Sequence, residues 1–139
     1  MDIRRILPFL PAAFWMGLIW VLSAQDASAS STLSGDLAAA LWRILPFSLE
    51  GTEAILRQGA HFTLYLVLGG LLAWGSRGRR LWASFAAGGL YALSDEVHQA
   101  FVPGRAMEGA DILTDLLGLG VGILLLGYLL RKRNEKAGS

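Results

Sequence analysis

Four long apolar segments constrain the fold of this chain more than any other feature of its sequence. They cover approximately residues 6–23, 54–74, 81–101 and 110–130. Each holds about 20 residues, the length that a helix needs to cross a hydrocarbon core about 30 Å thick. Backbone groups inside a bilayer must bond within their own segment, and these runs are too continuous for the alternating strands of a barrel. The segments therefore predict an all-α membrane protein, a four-transmembrane-helix bundle in a single domain over residues 1–139.

The composition agrees with a membrane location. Mean hydropathy is +0.49 and 17% of the residues are charged, whereas a soluble domain usually carries about 25%. The net charge of +1 creates no global field that would favour nucleic acid, so the expected partners are membrane lipids. The chain has no cysteine, which excludes disulfides, thiolate metal sites and cysteine nucleophiles.

Basic residues predict the orientation of the bundle, because cytoplasmic loops carry an excess of lysine and arginine. Nine of the 12 basic residues fall before segment one, between segments two and three, or after segment four: Arg4, Arg5, Arg77, Arg79, Arg80, Arg131, Lys132, Arg133 and Lys136. We therefore expect both termini in the cytoplasm. The long loop over residues 24–53 and the short loop around Gly104 would then lie outside.

The first segment admits a second interpretation, a cleaved signal peptide. It follows Arg4 and Arg5, and residues 27–29 resemble a cleavage site. Its apolar run is long for a signal peptide and contains Trp15 and Trp20. These features favour a retained helix.

The outer loop contains a pattern of its own. Ser34 resembles an N-cap, and leucines recur every four residues, at Leu33, Leu37, Leu41 and Leu45. The pattern predicts a short amphipathic outer helix between helices 1 and 2, lying at the interface. It leaves open whether this helix caps the bundle or covers a substrate.

Glycines in the fourth segment favour close helix packing. Gly118 and Gly122 have the small-xxx-small spacing that lets two membrane helices approach each other. The spacing predicts a packing face more than a functional site.

Ionisable residues gather at one end of three predicted helices. On helix 2, Arg57, His61 and Tyr65 are spaced four apart and share one face. The other helices add Asp95, Glu96, His98, Gln99, Glu108, Asp111 and Asp115, and the short loop adds Arg105. Because polar groups in membrane segments are costly, they are candidates for function by default. We predict catalytic roles for Arg57, His61, Asp95, Glu96 and Asp111, and substrate-binding roles for Tyr65, His98, Gln99, Arg105 and Asp115.

The charges of this group do not balance. Five acids face two arginines, so three carboxylates remain that hold protons, bind a cation or face water. Histidine and carboxylate suit zinc or magnesium, but ligands from separate helices have no diagnostic spacing and Arg57 opposes a cation. We assign no metal ligand, and the cofactor stays unknown, with a divalent metal one option. A purely structural ion-pair network is a further option for Arg57, Asp95 and Asp111.

Three motifs resemble those of the VanZ-like family. They are Arg57-Gln-Gly-Ala-His61-Phe-Thr-Leu-Tyr65, the run Ser94-Asp-Glu-Val-His-Gln-Ala-Phe-Val-Pro-Gly-Arg105, and Asp111 followed by Asp115-Leu-Leu-Gly118. The step Ser23-Ala-Gln25 resembles a fourth, shorter motif, which adds Gln25 to the substrate-binding candidates. The chain differs from the family in having Gln58 where lysine is frequent and Asp115 where asparagine is common. These differences make its pocket more acidic.

The resemblance implies a bacterial multi-pass protein of the cytoplasmic (inner) membrane, linked to teicoplanin (glycopeptide) resistance. It implies a phenotype and no reaction. The first hypothesis is action on a cell-envelope substrate, lipid-linked or phosphate-bearing, at the extracytoplasmic face. The arginines would bind phosphate, and His61 or His98 would transfer protons, oriented by Asp95 or Glu96. The second is a non-catalytic binder of a glycopeptide or wall precursor. A small transporter is the third, and it is weaker because the inner halves of the helices hold almost no ionisable residue.

Overall fold

The computed structural model describes residues 3–25 and 49–138, and every regular element in these two ranges is helical. A single helical turn at Ile3–Ile6 and a 3-10 turn at Leu7–Phe9 lead into the first long helix. The four long helices are α1 (Leu10–Ser23), α2 (Leu49–Gly75), α3 (Leu81–Gln99) and α4 (Gly109–Gly138). The all-α prediction is therefore confirmed for this part of the chain. The predicted outer amphipathic helix lies outside the described residues.

Several helix ends differ from the sequence-based bounds; α2, for example, begins at Leu49 rather than near residue 54. Two of these differences have identifiable reasons. Helix α4 continues to Gly138 rather than ending near residue 130, because the tail over residues 131–136 is rich in lysine, arginine and glutamate, which are good helix formers. Helix α3 ends at Gln99 and gives way to turns before Pro103. A residue that precedes proline is disfavoured in the helical region, which limits how far α3 can extend.

Among the described residues, two helices are long and apolar enough to cross a membrane. They contain the candidate spans Ile55–Gly75 and Gly109–Lys136, and the stretch Leu7–Ser23 is apolar but shorter. The four-transmembrane bundle itself is not confirmed, since among the described helices only these two have the length and composition of a candidate span. Helix α3 falls short because its last two turns carry Asp95, Glu96, His98 and Gln99. Spanning by α1 and α3 stays a prediction.

Helices α2 and α4 pack with their backbones in direct contact. A Cβ atom added at Gly122 would fall on the carbonyl of Leu66, and one added at Gly118 would fall on the carbonyl of Phe62. Only a residue without a side chain permits this approach. The predicted packing role of Gly118 and Gly122 is therefore confirmed.

Helix α1 is joined to both neighbours by side chains that bond to backbone carbonyls. The Trp15 indole N–H donates to the carbonyl of Leu64 on α2 at 2.9 Å, and the Tyr91 hydroxyl of α3 donates to the carbonyl of Met16 at 2.5 Å. These bonds fix the rotation of α1, so that Ile19 enters the apolar core. The same rotation directs Ser23, one turn further on, into the interior.

The two ends of the bundle have opposite character. At one end the turn after α2 holds Arg77 and Gly78 at positive φ, and the Arg131 side chain donates to the Gly78 carbonyl at 3.1 Å. A cavity of about 900 Å³ opens there, and Arg79 and Arg80 belong to its lining. Five acidic residues, Asp95, Glu96, Glu108, Asp111 and Asp115, lie at the other end, where α1 and α3 finish and α4 begins.

Candidate functional site

Side chains from four helices meet at the acidic end of the bundle. Helix α1 contributes its last residue, α2 its first half, α3 its last two turns and α4 its first two turns. We call this group the polar cluster. It comprises Ser23, Arg57, Gln58, His61, Tyr65, Asp95, Glu96, Gln99, Glu108, Asp111, Thr114 and Asp115.

An imidazole–carboxylate pair lies at the centre of the polar cluster. His61 Nδ1 is 3.0 Å from Asp115 Oδ1, which joins α2 to α4. The other ring nitrogen, Nε2, is 3.9 Å from Asp111 Oδ2. Asp115 is fully buried and His61 is 9% exposed. A carboxylate on one ring nitrogen orients the imidazole, which frees the opposite nitrogen for proton transfer or metal binding.

Asp95 occupies the deepest position. Its Oδ2 accepts the Ser23 hydroxyl of α1 at 2.9 Å and the Tyr65 hydroxyl of α2 at 3.4 Å. Asp95 and Tyr65 are both fully buried. Asp95 therefore links three helices, and the Tyr65 hydroxyl contacts it from within the core.

Glu96 also points inward, toward the loop that precedes α4. Its Oε2 accepts the backbone N–H of Glu108 at 3.1 Å, and the side chain is fully buried. Glu96, His61 and Asp115 each offer one ligand atom, and these atoms all lie within 4.8 Å of one another. Three different helices thus converge on one small volume.

Arg57 lies at the mouth of the polar cluster. Its guanidinium contacts Glu108 Oε2 at 3.0 Å, and its Nε is 4.0 Å from Asp111 Oδ2. The side chains of Arg57 and Glu108 are each 43% exposed, whereas that of Asp111 is 4% exposed. The exposed ion pair contributes little to stability, because water screens it. Its guanidinium is accessible to an anionic ligand.

A second chain of contacts supports Asp111 from the side. The Gln58 amide donates to Asp111 Oδ1, and the Gln58 carbonyl accepts the Thr114 hydroxyl. An uncharged amide therefore holds this carboxylate.

The remaining predicted residues lie at the edge. The Arg105 guanidinium donates to Gln99 Oε1 at 3.2 Å, which ties the short outer loop to α3. His98 turns away and stacks on Trp20 of α1, with ring centroids 4.0 Å apart and planes inclined by 16°. Gln25 is exposed after the end of α1.

Several polar atoms of this end are buried without a partner among the described residues. They are Asp95 Oδ1, Glu96 Oε1, His98 Nδ1, Gln99 Nε2 and Asp115 Oδ2. Each such atom costs about 1–3 kcal/mol when it stays unsatisfied. Folded proteins keep few such atoms, and these five lie at the same end of the described helices.

The structure brings together most of the side chains that the sequence nominated. Arg57, His61, Glu96, Asp111 and Asp115 share one connected group, with Asp95 and Tyr65 beneath it and Gln99 joined to Arg105. His98 and Gln25 do not join it through any contact between described residues. Sequence reasoning did not select Ser23, Gln58 or Thr114, although Ser23 opens the short motif after helix 1 and Gln58 adjoins Arg57.

The fold and the site define a class, an all-helical membrane-type protein with a buried carboxylate–histidine cluster at one end of its helices. Comparison with protein families gives the family: the VanZ/LLP1 model matches residues 9–131, so the chain belongs to that family. Comparison with curated proteins found no match, and comparison with solved structures found none either.

Proposed function

We propose that this protein acts at the extracytoplasmic face of the membrane on a lipid-linked, phosphate-bearing substrate of the cell envelope. The observation that carries the proposal is the guanidinium of Arg57, which lies half exposed at the mouth of a buried carboxylate–histidine cluster. Guanidinium groups bind phosphate oxygens through two parallel hydrogen bonds. An incoming phosphate would take the place of the Glu108 carboxylate on Arg57.

A membrane setting is supported by the outward faces of the helices. Large apolar side chains are exposed on every long helix, including Phe14 on α1, Trp74 on α2, Leu90 on α3 and Leu124 on α4. Apolar exposure on this scale is unusual for a soluble monomer and is expected where lipid surrounds the protein. The distribution of basic residues supports the outer face as the location of the polar cluster.

Chemistry at the substrate would centre on His61. Asp115 holds one ring nitrogen, and the other faces Asp111 on the side toward Arg57. The sequence-based hypothesis paired this histidine with Asp95 or Glu96, and the carboxylate in contact is instead Asp115. A phosphate bound at Arg57 would therefore approach the second nitrogen, where proton transfer or metal-assisted chemistry is feasible.

The alternative that uses the same cluster is a non-catalytic binder of a glycopeptide or wall precursor. The link between the VanZ-like family and teicoplanin resistance supports this alternative equally. A transporter receives less support. Across the described residues, the polar cluster occupies one end and the core at mid-depth is apolar, formed by Leu68, Leu72, Leu119 and Ile123. A pathway for a polar solute needs polar groups at mid-depth.

The test is the lipid that accompanies the purified protein. Wild type, Arg57→Ala and the control Arg133→Ala, an exposed residue at the basic end, are purified in the same mild detergent, and their lipids are identified by mass spectrometry. We expect a phosphate-bearing polyprenyl lipid with wild type and Arg133→Ala, and severalfold less with Arg57→Ala. Equal lipid content in all three would contradict the proposal.

A fourth variant separates catalysis from binding. His61→Asn keeps polar volume near Asp115 but cannot transfer a proton at this position. An enzyme predicts that His61→Asn retains more of the lipid than wild type, because the substrate is bound and not converted. A binding protein predicts the same lipid in wild type and variant, with no altered product in either.

A further inference from the structure

We infer that the polar cluster holds a divalent cation, with Glu96 and Asp115 as carboxylate ligands and His61 as the nitrogen ligand. This inference rests on the proposed function only for the location of the site. It assigns His61 a ligand role where the proposed function leaves proton transfer and metal binding both open.

The ligand atoms are already close together. One atom from each of His61, Glu96 and Asp115 lies within 4.8 Å of the others. Two ligands bound to one ion at about 2.1 Å are about 3.0 Å apart at a right angle and about 4.2 Å apart when opposite. Three atoms no more than 4.8 Å apart lie within about 2.8 Å of a common point, so a movement of each by about 0.7 Å would place all three at ligand distance from a single ion.

Glu96 and Asp115 each have one carboxylate oxygen whose lone pairs are available to bind a cation. Glu96 uses Oε2 to accept the Glu108 N–H, and Asp115 uses Oδ1 toward His61. The other oxygen of each group, Glu96 Oε1 and Asp115 Oδ2, is buried and has no partner among the described residues. Both side chains are fully buried, so bulk water does not compensate these atoms. Each carboxylate thus has one oxygen held by the protein and one available.

The charge at this end favours a cation. Four buried carboxylates, Asp95, Glu96, Asp111 and Asp115, lie near one another. The two arginines of this end supply at most two positive charges, and Arg57 shares its charge with the exposed Glu108. A divalent ion between Glu96 and Asp115 would offset most of the remainder, and a buried charge without compensation is costly.

Arg57 does not block such an ion. Its contacts are Glu108 and Asp111 on the exposed side, and Asp111 lies between it and His61. One nitrogen and two oxygens suit ions of intermediate character, Zn²⁺ or Mn²⁺, better than Ca²⁺.

The experiment is a metal titration of the full-length protein in detergent after treatment with chelator. Zn²⁺ and Mn²⁺ are the probes, with Ca²⁺ for comparison, and binding is followed by calorimetry. We expect one ion per chain in wild type and at least tenfold weaker binding in Glu96→Gln and in Asp115→Asn. The matched control is Glu135→Gln, which removes an exposed acid at the basic end, outside the polar cluster, and should bind within about threefold of wild type.

A second measurement uses the wild-type protein, so it does not depend on whether variants of the proposed metal ligands fold. Pulsed electron paramagnetic resonance of Mn²⁺ bound to wild type should show coupling to a histidine nitrogen, and His98→Gln should retain it, because His98 stacks on Trp20 instead. The inference is overturned if wild type binds neither ion, if Glu96→Gln and Asp115→Asn bind as tightly as wild type, or if no nitrogen coupling appears. The lipid test of Arg57 is read without added metal, so it can succeed while this one fails.

Discussion

His61 on α2 and Asp115 on α4 lie 54 positions apart in the sequence, yet Nδ1 of one is 3.0 Å from Oδ1 of the other. The contact is inside the protein, beside the backbone seam that Gly118 and Gly122 create. The close approach of these two helices is what allows a short aspartate side chain to reach the ring. Packing and site geometry are therefore linked through one pair of helices.

This contact predicts an energetic coupling between the two residues. His61→Ala, Asp115→Ala and the double variant are compared by the free energy of unfolding in a denaturing-detergent titration, with chelator present. We expect non-additivity of about 1 kcal/mol or more, because neighbours in one buried network couple by about 0.5–3 kcal/mol. His61→Ala combined with Ser94→Ala is the control, and their effects should add within about 0.5 kcal/mol, since Ser94 is exposed. Additivity of the His61–Asp115 pair would show that the contact is not energetically significant.

Ser23 should matter to stability although it lies outside the charged set. Its hydroxyl donates to the fully buried Asp95, so Ser23→Ala leaves that oxygen with only the longer Tyr65 bond. We expect a loss of about 1–3 kcal/mol in the free energy of unfolding. Ser94→Ala is the matched control, because its hydroxyl only bonds to the Tyr91 carbonyl of its own helix. An equal effect of the two substitutions would show that the Ser23–Asp95 hydrogen bond does not stabilise the protein.

The sequence identified most members of the site but not how they pair. Helical spacing alone predicted that Arg57, His61 and Tyr65 share a face. It could not predict that His61 would meet Asp115 rather than Asp95 or Glu96, because that choice depends on the rotation of separate helices about their axes. The same rotation directs His98 to Trp20, away from the acids.

For the fold, the length of the apolar segments predicted the presence of the helices well, but it predicted poorly where helices with polar ends begin and stop. Helix α4 extends past residue 130 because its charged tail still favours helix. Ser23 escaped selection because a lone serine at a helix end is common and carries no periodic signal. Its burial follows from two hydrogen bonds, which Trp15 and Tyr91 donate to backbone carbonyls. No sequence pattern predicts these bonds.

The seam between α2 and α4 should not tolerate a side chain. Gly122→Val would place its Cβ on the Leu66 carbonyl, a backbone atom that cannot move aside alone. We expect a loss of about 1–3 kcal/mol or more, the usual cost of overpacking, together with weaker lipid binding as the site opens. Gly59→Ala, on the same helix as Leu66, meets nothing within 4 Å and should be neutral or stabilising. If Gly122→Val unfolds no more easily than Gly59→Ala, the described helix contact is wrong.

The proposed orientation can be read from cysteine accessibility, since the chain has no cysteine of its own. Ala106→Cys lies exposed in the loop beside the polar cluster, and Arg79→Cys lies exposed at the basic end. In intact cells an impermeant maleimide should label Ala106→Cys and spare Arg79→Cys, which should react only after lysis. The reverse pattern would put the polar cluster on the cytoplasmic side and refute the assigned face.

Recognition of a lipid phosphate by Arg57 and the polar cluster can be measured as binding affinity in nanodiscs. Polyprenyl phosphate is titrated against the phosphate-free polyprenol, with wild type, Arg57→Ala and Arg133→Ala. We predict binding of polyprenyl phosphate by wild type and Arg133→Ala, and a loss of about tenfold or more in Arg57→Ala, since a hydrogen bond to a charged group contributes about 1.5–3 kcal/mol. Equal affinity for polyprenol and its phosphate, or full binding by Arg57→Ala, would contradict the account.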